Sequence, residues 1–271
     1  MTSWDIANPT SIGTSVSKVE INDANPLTKP TQAQTLIEVV PYMSSIAALT
    51  AGQSYLTKCI IESNSINLLP KNFLVPPILG GLGTFSSSLT PMLDTVETNT
   101  PLQLGATQQF RIYGQNFVAN TVANKLGLAL HYSEAQTNAK EMFYDMPTNE
   151  TNTGTAATTV AGENFTVNDG TFLETITPVV TSGVVTASES YLASIEISSN
   201  DFDNSMPLKV PCQPISTALG SAASVGMPKL PSYHNIHMGM KSSCTISQTL
   251  TLSESLTAAG NFIAGVGYTK S

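Results

Sequence analysis

The segment Thr50–Leu56 reads TAGQSYL, and the segment Thr186–Leu192 reads TASESYL. The second segment begins 136 positions after the first, about half of the 271-residue chain. Self-similarity at a fixed spacing is the sequence signature of an internal repeat. A repeat of this length is too long for a solenoid unit, so we expect two domains with a core each.

Two further pairs of segments have the same spacing. Leu36–Val40 matches Phe172–Ile176, and Gly127–Tyr132 matches Ile263–Tyr268. The matches include glutamate and tyrosine as well as the small residues in which this chain is rich. We therefore expect three pairs of residues to superpose: Tyr55 with Tyr191, Glu38 with Glu174, and Tyr132 with Tyr268.

The composition favours β-structure with a weakly charged surface. Only 11% of residues are charged, whereas 41% are hydrophobic, and a soluble domain usually has about 25% charged residues. Ser, Thr, Asn and Gln must therefore supply most of the polar surface. Such a surface is suited to partial burial against neighbouring subunits.

The basic residues are too few and too scattered for a nucleic-acid site. Arg111 is the only arginine, the ten lysines are dispersed, and the net charge is -8. Binding to phosphates requires clustered Lys and Arg. The sequence therefore predicts no direct contact with nucleic acid.

The sequence shows no targeting or membrane-spanning segment. Met1–Ile6 has neither a basic nor an apolar region of a signal peptide, and no run reaches 18 apolar residues. The most apolar run, Phe73–Leu82, is interrupted by proline and glycine, so we expect a buried loop or strand end there. Synthesis in the cytoplasm is the corresponding expectation.

Strand patterns dominate the chain. Apolar and polar residues alternate over Thr245–Leu252, which is typical of a strand with one buried face. Other segments combine β-branched or aromatic residues with flanking turn formers. The predicted strands are Leu36–Val40, Tyr55–Ile61, Thr107–Tyr113, Leu126–Tyr132, Thr171–Ile176, Tyr191–Ser198, Thr245–Leu252 and Phe262–Tyr268.

Each half has one candidate helix before its last strand. Asn116 is a possible cap for a helix over Phe117–Leu126. The matching segment Ser253–Asn261 begins with a capping residue and has Gly260 near its end. We expect these residues to face the cores: Phe117, Val122, Leu126, Leu256 and Phe262.

The repeat predicts four parts of the chain. Residues 1–14 include the only tryptophan, Trp4, and have no match in the second half by this spacing, so they are interpreted as an N-terminal arm. The first domain covers 15–135 and the second covers 150–271. Residues 136–149 connect them.

Three histidines are candidates for a metal or catalytic site. His234 and His237 form an HxxH pair, but no Asp, Glu or Cys lies within five residues, and zinc needs at least three protein ligands. His131 matches Gly267 in the other half, which argues against a shared catalytic role. The histidines therefore predict no metal site.

No other motif supports catalysis. The glycine-rich Gly80–Thr84 is not followed by lysine and has no βαβ context. A glycosidase carboxylate pair is the one hydrolytic arrangement left open, although nothing in the spacing favours it. The sequence predicts no catalytic, cofactor-binding or metal-binding residues. The loop carboxylates are Asp94, Glu97, Glu134, Glu141, Asp145, Asp201 and Asp203.

The sequence predicts no disulfide and no glycosylation. Cys59, Cys212 and Cys244 are an odd number without CxxC spacing, so we expect buried free thiols. Asn149 and Asn164 begin N-glycosylation sequons. Without a signal peptide, we expect both to be unmodified.

The repeat anchors and the strand–helix–strand endings predict an all-β chain of two tandem jelly-roll β-sandwiches, because each half has room for eight strands. This arrangement resembles the double jelly-roll major capsid proteins of tailless icosahedral viruses, the lineage that links adenoviruses with membrane-containing bacterial and archaeal viruses. The resemblance covers nearly the whole chain but rests on architecture and on no family-specific residue motif.

The resemblance implies a structural protein of the virion rather than an enzyme. Three chains with two sandwiches each would form a homotrimeric capsomer with a near-hexagonal outline, made in the host cytoplasm. The implied partners are other copies and neighbouring capsomers, with minor capsid proteins or an internal lipid membrane reached by the arm. No cofactor is implied.

Three alternatives remain open from the sequence. The first is a cell-surface protein, an S-layer or fibre subunit with two immunoglobulin-like sandwiches. The second is a capsid subunit with a single jelly roll and a fortuitous repeat. The third, ranked last, is a carbohydrate-binding or hydrolytic β-sandwich enzyme.

Overall fold

A computed structural model describes most of the chain as β-structure. The residues that it describes contain strands and no helix. They are 3–21, 34–45, 54–63, 68–79, 102–104, 111–117, 119, 123–134, 142–149, 151–152, 158–181, 190–204, 206–212, 215–216, 233, 235–255 and 260–270.

The first half forms two four-stranded antiparallel sheets. The β8 sheet has the order β1-β8-β3-β6, and the β7 sheet has the order β2-β7-β4-β5. Its strands are β1 (Ser3–Gly13), β2 (Val19–Glu20), β3 (Gln34–Ser45), β4 (Ser54–Ser63), β5 (Leu68–Leu79), β6 (Leu102–Leu104), β7 (Arg111–Asn116) and β8 (Asn124–Glu134).

The second half repeats this arrangement. The β20 sheet has the order β10-β20-β13-β18 with β9 also on β20, and the β19 sheet has the order β11-β19-β15-β16 with β12 also on β19. The strands are β9 (Met142–Asp145), β10 (Thr151–Asn152), β11 (Thr159–Ala161), β12 (Phe165–Asn168), β13 (Gly170–Thr181), β14 (Ser190–Tyr191), β15 (Ala193–Ser198), β16 (Leu208–Pro211), β17 (Ile215–Ser216), β18 (Met238–Gly239), β19 (Ser243–Leu252) and β20 (Asn261–Lys270).

The two halves are tandem jelly-roll sandwiches with one strand order. β14 and β15 together take the place of β4, β16 and β17 take that of β5, and β19 and β20 take those of β7 and β8. The predicted all-β fold class of jelly-roll sandwiches is therefore confirmed, and the two strand orders agree with the predicted repeat.

Strand pairing places most of the matched residues in equivalent positions. Tyr55 pairs with Ile78 in the first sandwich, and Tyr191 pairs with Ile215 in the second. The matched segments Thr50–Leu56 and Thr186–Leu192 therefore lead into the same strand in both copies.

One matched pair is displaced by a residue. Tyr132 and Tyr268 are equivalent, but Glu38 pairs with His131, whereas Glu174 is skipped where β13 pairs with β20. The prediction that Glu38 superposes on Glu174 is therefore wrong. Both β3 and β13 contain a bulge, and along these two strands the offset is one residue longer than along the last strands.

The predicted arm is part of the first sandwich. Residues 3–13 form β1, which pairs antiparallel with β8 through Trp4–His131 and Ile6–Ala129, among others. Backbone hydrogen bonding to an open sheet edge accounts for this placement, since an edge strand satisfies the groups that its neighbour leaves unpaired. The interpretation of residues 1–14 as a free arm is therefore wrong for residues 3–13.

The predicted connection likewise contains a strand of the second sandwich. β9 lies within 136–149 and pairs with β20, as β1 pairs with β8. Asp5 pairs with Leu130 and Asp145 pairs with Val266, so the two aspartates have equivalent register positions. The domain boundaries thus move to 3–134 and 142–270 among the described residues.

The short helices are not found in the described residues. β8 begins at Asn124, so the end of the predicted helix over Phe117–Leu126 is strand. Residues 118, 120–122 and 256–259, with Val122 and Leu256 among them, lie outside the described residues.

Asn116 is buried and forms hydrogen bonds other than those expected of a helix cap. Its Nδ2 donates to the carbonyl oxygens of Gly13 (3.3 Å) and Ser15 (3.2 Å), and its Oδ1 accepts a hydrogen bond from Thr57 Oγ1 at 2.9 Å. This buried amide therefore holds the turn between β1 and β2 against β7.

Each sandwich has its own apolar interior. In the first, alternate residues of β8 are fully buried: Leu126, Leu128 and Leu130. In the second, both sheets contribute to one cluster, with Phe262 among its fully buried members. The expected core positions of Leu126 and Phe262 are confirmed. β5 continues to Leu79, so most of the apolar run after Phe73 is strand.

Candidate functional site: the contact between the two sandwiches

The two sandwiches meet through an apolar cluster, here called the seam. The β7 sheet of the first sandwich meets the β20 sheet of the second, so the contact joins unlike sheets. Phe117, expected in the core of its own sandwich, belongs to the seam instead. The seam residues are Leu56, Leu74 and Phe117 from the first sandwich and Met146, Val179 and Ile263 from the second.

β20 is buried on both of its faces because of the seam. Phe262 and Val266 point into the second sandwich, whereas Ile263 packs in the seam. At Gly265 a Cβ would lie 3.3 Å from Leu74 Cδ1, so the absent side chain allows close approach. A continuous apolar run is typical of a strand covered on both sides.

One pair of opposite charges lies beside the apolar seam. Burial lowers the pKa of Lys58 and raises the pKa of Asp145, because both charges are removed from water. The charge of Asp145 raises the pKa of Lys58, and the charge of Lys58 lowers the pKa of Asp145, so each charge offsets part of the effect of burial on the other pKa. Lys58 Nζ also lies 5.6 Å from the centre of the Phe117 ring. The two charges lie on β4 of one sandwich and on β9 of the other.

Only one member of the histidine pair, His237, lies in the described structure. His237 stacks on Phe172 with ring centres 4.3 Å apart, and its Nδ1 lies 3.2 Å from Glu174 Oε1. His234 lies outside the described residues, and His131 is on β8. Among the residues described, no three His, Cys, Asp or Glu side chains are grouped to hold a metal ion.

The loop carboxylates do not form one site where they are described. Asp201 accepts a hydrogen bond from Lys241, Asp203 lies against Gly239, and Asp145 lies beside the seam. Glu134 is the last residue of β8. Four candidates lie outside the described residues: Asp94, Glu97, Glu141 and Gly80–Thr84.

Replacing Lys241 by alanine should raise the pKa of Asp201 towards its ordinary value. The 2.9 Å hydrogen bond from Lys241 Nζ is the main cause of the lowered pKa, followed by the amide of Thr245. A lowered carboxyl pKa favours folding above the unfolded-state pKa, and this advantage is lost as pH falls through the folded-state pKa. NMR titration of the Asp201 carboxyl carbon measures the shift. Lys209→Ala is the control and should leave that pKa unchanged; an equal shift in both variants would contradict the assignment.

The three cysteines are buried free thiols, as expected. Burial raises the pKa of Cys59 and raises that of Cys212 to about 12, so neither forms the reactive thiolate near neutral pH. We expect the folded protein at pH 8 to react slowly with a chromogenic disulfide, and the unfolded protein to release three equivalents at once. Ser17→Cys should add one fast thiol. Rapid labelling of all three native thiols would contradict this burial.

Two remaining features concern modification and membranes. The Asn149 amide donates to Glu163 Oε1 at 3.2 Å, while Asn164 is exposed. In the part of the chain that is described, no helix has the length and apolar character to cross a membrane.

Comparison with known proteins finds similarity at the level of structure only. No family model matches, and neither does any curated protein sequence. The chain is similar to peptide:N-glycanase F, with 10% identity, a TM-score of 0.41 and coverage of 100% of this chain and 96% of that one.

Viral capsid proteins are also among the structural neighbours. The major capsid protein P2 of bacteriophage PM2 has 10% identity and a TM-score of 0.33, with 100% of this chain and 98% of that one covered. VP2 of infectious bursal disease virus has 8% identity and a TM-score of 0.27, with 99% and 72% covered. Similarities of this size identify neither a family nor an activity.

Proposed function

We propose that this chain is a structural major capsid protein of the double jelly-roll lineage, which forms homotrimeric capsomers of near-hexagonal outline in an icosahedral virion. The observation that carries the proposal is the pair of sandwiches with one strand order, packed through unlike sheets.

A contact between unlike faces can be repeated from unit to unit, and a ring results if the rotation closes. The contact inside one chain joins two such units. Three chains would supply six sandwiches, which is the outline needed to tile a flat face of a shell. The duplication therefore supports a trimer rather than a symmetric dimer.

The surface chemistry supports assembly rather than catalysis. Asp201 is paired with Lys241, Glu62 is paired with Lys18 at 2.8 Å, and Asp145 and Lys58 lie beside the seam as opposite charges. A low charge content is typical of the interior of subunit interfaces. The sparse basic residues favour a shell that does not contact the genome directly.

The partners proposed are other copies of this chain, neighbouring capsomers, and minor capsid proteins or an internal membrane. Since β1 belongs to a sandwich, contacts with a membrane would have to use another part of the chain. The cell-surface alternative assumed immunoglobulin-like domains, whose seven or nine strands have a different sheet order. The strand order found here does not favour it.

Light scattering and negative-stain electron microscopy of the purified protein test the proposal together. We expect a particle of three times the 28.6 kDa chain mass with a near-hexagonal outline. A stable monomer at high concentration, or filaments and planar lattices without such particles, would contradict it. Release of glycans from a denatured glycoprotein, with a matched blank, would instead favour an enzyme.

A further inference from the structure

Leu192 is the most exposed of the large hydrophobic residues described, at 68% of its possible surface. Its counterpart in the first sandwich is Leu56, which lies in the seam and is only 3% exposed. The same local backbone holds both leucines: the amide of Phe117 donates to the Leu56 carbonyl at 3.0 Å, and the amide of Ser253 donates to the Leu192 carbonyl at 2.8 Å. Two equivalent residues thus differ in whether a sandwich covers them.

We propose that Leu192 is covered by the first sandwich of a second copy of this chain, in the way that Leu56 is covered by the second sandwich of its own chain. The inference rests on the proposed trimer and names the surfaces that form it. Within a chain, the seam uses the β7 sheet and the β20 sheet. The counterparts of these two sheets are the β19 sheet and the β8 sheet, and the proposal pairs them between two chains.

The receiving surface repeats the second half of the seam in sequence and register. Trp4-Asp5-Ile6 and Tyr144-Asp145-Met146 both read aromatic, aspartate, aliphatic. They run beside equivalent last strands, with Asp5 opposite Leu130 and Asp145 opposite Val266. Ile6 therefore has the register position that follows Asp5 as Met146 follows Asp145.

The other seam residues of the second sandwich also have counterparts. Val179 pairs with Ile263 on β13 and β20, and Tyr42 pairs with Gly127 at the same place on β3 and β8. The position of Met146 corresponds to Ile6. Large side chains thus occur at the counterparts of Met146 and Val179, which are Ile6 and Tyr42. The counterpart of Ile263 is Gly127, which has no side chain.

The residues next to Leu192 are polar, as expected of subunits that are soluble before they assemble. The Leu192 amide donates to Ser253 Oγ at 3.0 Å, and Ser194 pairs with Thr251 on the neighbouring strand. Such interfaces are about as polar as the rest of a protein surface. Leu192 is then the apolar anchor within a rim of hydroxyl groups.

A charge placed on Leu192 tests the contact without disturbing either core. We expect Leu192→Glu to keep the far-UV spectrum and melting of one folded chain but to shift the mass by light scattering from three chains to one. Met206→Glu is the matched control, since Met206 is 65% exposed and lies in the loop between β15 and β16. It should remain a trimer.

Disulfide trapping locates the second half of the contact. Under mild oxidation, chains with both Ile6→Cys and Leu192→Cys should link into dimers and trimers on a non-reducing gel, whereas Ile6→Cys with Met206→Cys should not. If the parent is a trimer but Leu192→Glu is also a trimer and no link forms, this inference is overturned while the proposed function stands. If the parent is a monomer, both are overturned.

Discussion

Replacing Phe262 by alanine is expected to lower the free energy of unfolding by about 3–5 kcal/mol, the usual range for truncating a buried aromatic residue. Phe262 is fully buried, lies on the central strand β20 and pairs with Val180 across to β13. Its ring fills space between both sheets of the second sandwich. Chemical denaturation followed by circular dichroism measures the loss.

Met206→Ala is the control for this change, because its side chain is largely exposed. Truncation there should alter the free energy of unfolding by less than about 0.5 kcal/mol, as is usual for surface sites. A Phe262→Ala protein that melted at the temperature of the parent would show that the second core is placed wrongly.

The second large effect is expected in the seam, from Leu74→Ala and Ile263→Ala. Each should cost about 2–5 kcal/mol, the range for truncating a buried aliphatic residue. The two residues belong to one cluster but to different sandwiches. The double variant should therefore depart from additivity by about 0.5–3 kcal/mol, as neighbouring residues do.

A second cycle separates the seam from general destabilisation. Val167 is fully buried in the second sandwich but belongs to its core cluster rather than to the seam. Leu74→Ala combined with Val167→Ala should be additive within about 0.5 kcal/mol. Additivity in both cycles would show that the two sandwiches do not stabilise each other through this cluster.

Much of the architecture could be predicted because the alternation of apolar and polar residues along a strand is visible in a short segment of sequence. In β19, alternate residues from Cys244 to Leu252 are buried and the others are not, so the period of two is visible in the sequence. The TAGQSYL and TASESYL segments begin equivalent strands because the same turn and strand chemistry recurs. Asn116 has no such local signal, because its hydrogen bonds reach Gly13 and Ser15, about 100 residues earlier in the chain.

The N-terminal strand could have been found with a looser comparison. Asp5 and Asp145 are 140 positions apart rather than 136, because the chain between the first strands and the central strands differs in length between the two copies. At the fixed spacing of 136, residues 3–13 therefore have no match in the second half. Allowing a length change in a loop would have aligned the aspartates, since loops tolerate insertions.

The sequence by itself determined that the chain is all-β, that it holds two copies of one sandwich, and where most strands lie, because periodicity and repetition are properties of local segments. Only the tertiary structure decided that Phe117 packs in the seam and not in the core of the first sandwich. It also decided that Leu56 is covered by the second sandwich, whereas Leu192 is exposed. Both leucines stand in nearly identical sequence. Their burial depends on which sheet of which sandwich lies opposite, and that contact joins residues far apart in the chain, which no local pattern specifies.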